Sequence, residues 1–75
     1  MTKLTKEESA AIRKMLNEVF DALEEKGYDP TMQLTGYLLT EEPTYITPNR
    51  NARNLIRKYD RDDIMIELLT GYLGK

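Results

Sequence analysis

The word LTGYL occurs twice, at residues 34–38 inside MQLTGYLLTEEP and at residues 69–73 inside ELLTGYLGK. Its spacing of 35 residues is close to the period of stacked helical hairpins, so its reading separates a solenoid fragment from one compact domain. At that offset the surroundings disagree: Leu16 falls on Asn51, Phe20 on Leu55, Gly27 on Asp62 and Pro30 on Met65. A repeat carries its turn and core residues with it. The second LTGYL is therefore a coincidence, and the chain reads as a single helical domain over residues 1–75 with residues 1–5 as a flexible lead-in. Gly within a helix costs about 1 kcal/mol relative to Ala. Gly36 thus needs a reason, such as the close approach of another backbone, whereas Gly71 lies where the helix frays.

Working outward, Ile12, Met15, Leu16, Val19, Phe20 and Leu23 form one face at helical period. The only Phe, Phe20, is expected in the main core. Thr5 and Glu8 have capping-box spacing, and Gly27 supplies a left-handed stop. Asp29–Pro30 opens a second helix carrying Leu34, Tyr37, Leu38 and Leu39, which must fail before Pro43. Tyr45 and Ile46 are expected to fold back from the following loop onto the core. Thr47–Pro48 repeats the cap-then-proline device and opens a third helix with Ala52, Leu55, Ile56 and Tyr59 on its buried face. Asp60 caps a fourth, whose apolar face is Ile64, Leu68, Leu69, Tyr72 and Leu73. No strand pattern competes, and the fold class is all-α: a compact bundle of about four short helices.

Composition excludes several functions. There is no Cys and no His among the 75 residues, which removes disulfides, Cys- or His-based zinc sites and Cys–His or Ser–His nucleophiles. No signal peptide or membrane-spanning run is present, and a cytoplasmic location without membrane insertion is expected. The net charge is −2, but unevenly spread: residues 1–42 carry 5 Lys+Arg against 9 Asp+Glu, and residues 43–75 carry 6 against 4. Asp60, Asp62 and Asp63 lack the EF-hand spacing and read as a helix start. Glu24–Glu25 has no partner to shift its pKa, so no enzyme and no cofactor is expected.

Arg50, Arg53, Arg57 and Arg61 are spaced 3, 4 and 4. On one continuous helix they span roughly 60° of arc, about 140–150° from the centre of the buried face, and Arg61 leaves the set if the helix ends near Asp60. Three readings stand: a solvated face, an anion site for phosphate or an acidic partner, and a helix-turn-helix-style nucleic-acid surface. The negative net charge and the scarcity of Asn, Gln or Ser beside these arginines argue against base reading.

The longer frame LEEKGYDP..QLTGYLL...PTYIT...NAR.LIRKYDRDDI..ELL..YL, from about Ala22 to Leu73, resembles the IreB-like family of small regulatory phosphoproteins of Gram-positive bacteria. The resemblance implies a helical, dimeric, non-enzymatic regulator. Its implied setting is a pathway of a membrane Ser/Thr kinase with extracellular PASTA repeats and its partner phosphatase, tied to envelope stress. Thr2 and Thr5 are the only hydroxyls ahead of the first helix, so the implied phosphate falls there. A thin-cored domain gains from burying a second apolar surface, and Ile64, Leu68, Leu69, Tyr72 and Leu73 are the expected homodimer interface.

Overall fold

Helix α1 (Lys6–Glu25) begins where its cap is. Thr5 Oγ1 accepts the Glu8 N–H at 3.1 Å, and the Thr5 N–H donates to Glu8 Oε1 at 2.8 Å, closing the expected capping box. Just ahead of it, Leu4 is partly buried against the core. The helix ends in a Schellman arrangement: Gly27 takes φ +82°, its N–H reaches the Glu24 carbonyl, and the Tyr28 N–H reaches the Leu23 carbonyl. The computed structural model describes residues 4–74, and among these all regular structure is helical.

The buried stripe of α1 is Ile12, Met15, Val19, Ala22 and Leu23. Phe20 is a correction: it is 38 % exposed, outside the main core, while Ala22 lies fully inside. The small Ala22 side chain lets neighbouring chain approach α1 closely. Phe20 follows Val19 by one residue, about 100° further round the helix, which puts it at the rim of the packed face.

Asp29 accepts the Met32 N–H at 3.2 Å and starts α2 (Pro30–Thr40), which stops at Glu41 in the left-handed region, φ +61°. Tyr37 is buried, and burial, then the nearby Glu41 carboxylate, push its phenol above the ordinary value. Gly36 has its reason, though in a ring rather than a backbone: a Cβ there would lie 2.6 Å from Cδ1 and 2.8 Å from Cζ of Tyr45. Ile46 folds back as expected and is fully buried; Tyr45 remains half-exposed.

The third helix is shorter and later than expected. Pro43–Tyr45 and Asn49–Asn51 are single 3₁₀ turns, and α3 covers only Ala52–Ile56. Thr47 Oγ1 accepts the Asn49 N–H at 3.2 Å in a local turn, but the 3₁₀ turn that follows has Pro48 at its N-cap, without a side-chain capping bond, and does not propagate. Arg50 and Asn51 both adopt left-handed backbone, φ +55° and +60°. Asp60 occupies the N-cap position of α4 (Arg61–Leu73) with extended backbone but makes no side-chain capping bond. Helix α1 is the spine, and Tyr37, Ile46, Ala52, Ile56 and Ile64 join its stripe in one core. The described residues measure 34 × 21 × 21 Å. None of their helices is long and apolar enough to cross a membrane.

Candidate functional site

The four arginines do not form a face. Breaking the helix at Arg50–Asn51 and again after Ile56 sends each to a separate task. Arg50 forks onto Glu25, with Nε 3.2 Å from Oε1 and Nη2 2.9 Å from Oε2. Asn49 donates to the same carboxylate at 2.8 Å and to the Ala22 carbonyl at 3.1 Å, satisfying an otherwise unpaired acceptor in the last turn of α1. Glu25 is accordingly held below the ordinary carboxylate value, first by Asn49 and then by Arg50. Arg53 Nε donates to the Ile46 carbonyl at 2.8 Å and pins the returning loop. Arg61 donates to the Leu38 carbonyl at 2.9 Å and pairs with Glu41 at 3.4 Å, closing the end of α2. Arg57 is exposed and makes no side-chain hydrogen bond or ion pair among the described residues. As one continuous helical surface the set is corrected: three of its four members hold the fold together.

The apolar face expected on α4 divides. Ile64 is fully buried against α1, whereas Leu68, Leu69, Tyr72 and Leu73 are 44 %, 59 %, 89 % and 58 % exposed. Leu68 also borders a groove of about 290 Å³ whose walls are Leu16, Phe20, Leu34 and Leu38, with Asn17, Thr31 and Thr35 on its rim. Helices α1, α2 and α4 thus share one continuous apolar surface, open to solvent. Contiguous exposed apolar surface of this kind is the signature of an interaction site.

A third cluster joins α1 to α4. Glu67 is 6 % exposed and is the one buried charged residue among the described residues. Its Oε1 accepts the Ser9 hydroxyl, and its Oε2 lies 3.5 Å from Arg13 Nη2. Ser9 and Arg13 are one turn apart on α1, and the Ser9 N–H donates to the Thr5 carbonyl at 2.9 Å. Sequence reasoning missed this cluster, although Glu67 stands three residues after Ile64, among positions otherwise apolar. An acid there is the available signal of a paired, buried carboxylate.

Of the expected phosphorylation candidates, Thr5 is the exposed N-cap of α1 and Thr2 lies outside the described residues. Comparison with family models matches residues 1–74 to the model described as the IreB regulatory phosphoprotein. That match takes in the whole of α1, whereas the resemblance legible in sequence begins near Ala22.

Proposed function

The chain belongs to the IreB regulatory phosphoprotein family, and from that membership we propose that it is a non-enzymatic adaptor that works by binding other proteins. In this reading it is cytoplasmic, it dimerises through the Leu68, Leu69, Tyr72 and Leu73 face of α4, and a Ser/Thr kinase and its phosphatase add and remove a phosphate at Thr2 or Thr5. The pathway reports on envelope stress. The observation that carries the binding role is the apolar surface running from Phe20 across Leu68 to Tyr72, on a domain whose core closes without it. Thr5 is exposed and reachable, and Arg57, without a side-chain partner among the described residues, is a cation open to an acidic partner.

The nucleic-acid reading has little to support it. A five-residue α3 is too short to present a row of side chains along a major groove, and Arg50, Arg53 and Arg61 are engaged internally. Incubation of the full chain with a PASTA-type kinase and ATP, followed by mass mapping, is expected to find phosphate on residues 1–10. Its absence, with the kinase active on a second substrate, removes the pathway assignment.

A further inference from the structure

We infer that Arg13, with Lys6, is the receptor for a phosphate carried on Thr5, and that receiving it takes Arg13 away from Glu67 and loosens α4. The inference rests on the phosphoprotein reading and adds where the phosphate goes and what it displaces.

Leu4 and Thr5 divide the surface at the start of α1 into two unlike sides. On one, Glu7, Glu8 and Asp63 surround Leu4 beside Tyr59. On the other, Thr5 shares a cleft with Lys6, Ser9 and Arg13. A phosphate adds up to about two negative charges and three acceptor oxygens. Repulsion closes the first side to it and attraction opens the second. Thr5 and Arg13 are eight residues apart, roughly 12 Å along a helix axis, a gap that a long arginine and a phosphothreonine leaning together can span.

Arg13 is free to move. Its contact to Glu67 is a single approach of 3.5 Å from a side chain 69 % exposed, so the guanidinium can swing through solvent without leaving a cavity behind. A phosphate offers the guanidinium two parallel charge-assisted bonds in place of that contact. Glu67 does not share this freedom. Its side chain is 8 % exposed, and once Arg13 leaves, only the Ser9 hydroxyl remains to support a buried charge. A buried charge stripped of its partner is unstable, which favours any motion that returns the carboxylate to water. It can do so by lifting α4, which Ile64 alone holds with a fully buried side chain and whose C-terminal half is already exposed. The cleft beside Thr5 continues through Ser9 and Arg13 to Glu67, Ile66 and Thr70, so the two ends of the exchange adjoin.

The modification itself is an ordinary transfer from a nucleoside triphosphate. Thr5 Oγ1 bonds to the γ-phosphorus, the bond to the β-phosphate bridging oxygen breaks, the nucleoside diphosphate leaves, and the hydroxyl proton passes to the kinase's base. The Glu8 carboxylate, which accepts the Thr5 N–H at 2.8 Å, stands next to the new phosphate and is repelled by it, so that half of the capping box opens, while Thr5 Oγ1 still accepts from the Glu8 N–H and the rest of α1 stays wound.

The test is total synthesis of the full 75-residue chain with phosphothreonine or threonine at position 5, read by amide hydrogen exchange and phosphorus NMR. The phosphate is expected to speed exchange at residues 64–70 at least tenfold and to lower its own second pKa against a phosphothreonine peptide. In Arg13→Gln both effects should disappear; in Arg13→Lys they should be partly restored. In Glu67→Gln the phosphate should keep its lowered pKa while α4 no longer responds, because the displaced partner is neutral. Equal α4 exchange in the two parent forms overturns the inference, as does a full phosphate effect in Arg13→Gln. Because synthesis installs the phosphate, these outcomes are independent of whether a kinase modifies the chain, which incubation with the kinase decides.

Discussion

Gly36 and Tyr45 show how one missing methyl group fixes a loop. The Tyr45 ring occupies the space a Cβ would fill, and Gln33 Nε2 holds the Tyr45 carbonyl at 2.9 Å. Gly36→Ala is therefore expected to displace the ring and lower stability, despite the better helix propensity of Ala. With Tyr45→Ala in the background the sign should reverse, to a gain of about 1 kcal/mol. A double-mutant cycle by urea denaturation checks both legs. Phe20→Ala is expected to cost less than the ~3–5 kcal/mol of a core Phe, since the ring is already partly in water. At Glu25 the sign of the pH effect comes from a lowered folded pKa. Its stabilising contribution is complete above the unfolded value near 4.5 and is lost as pH falls through the folded value. Carboxyl NMR titration should show Asn49→Ala and Arg50→Gln each raising this pKa, because each removes a partner of the ionised form.

Elements whose ends are written in local chemistry were legible in the sequence. Thr5 with Glu8, Asp29 with Pro30, and Gly27 marked the limits of α1 and the start of α2, because capping and left-handed stops depend on neighbouring residues alone. Thr5→Ala should accordingly cost about 1 kcal/mol, measurable by thermal melting. The third helix was misread because its start depends on Arg50 and Asn51 taking positive φ. For Arg50 that conformation costs roughly 1–2 kcal/mol and is supported by a distant partner, Glu25 at the end of α1, whereas Asn51, a residue that takes it readily, has local support from Pro48 and Asn54. A window around residues 48–56 holds the hint at Asn51 but not the Glu25 that holds Arg50. The supposed arginine face failed with the helix beneath it. Ser9, Arg13 and Glu67 escaped for the same reason: their meeting is a contact between the first and last helices. The exposed half of the α4 face was visible as excess apolar surface, and remains so in three dimensions.

At the scale of the molecule, a chain of this length closes one core and leaves the Phe20–Leu68–Tyr72 surface over. Sedimentation at micromolar concentration is expected to give twice 8.7 kDa, and Leu69→Asp with Tyr72→Asp to give a monomer of unchanged helicity. A parent that stays monomeric sinks the dimer. The same surface is also an optical reporter. With five Tyr and no Trp, all intrinsic ultraviolet emission comes from phenols. Tyr37 is 3 % exposed and Tyr72 is 89 % exposed. A soluble quencher therefore reaches Tyr72 freely and Tyr37 hardly at all. Whatever covers the end of α4, a second copy or another protein, shields the most accessible phenol, so its arrival can be followed in solution without attaching a dye.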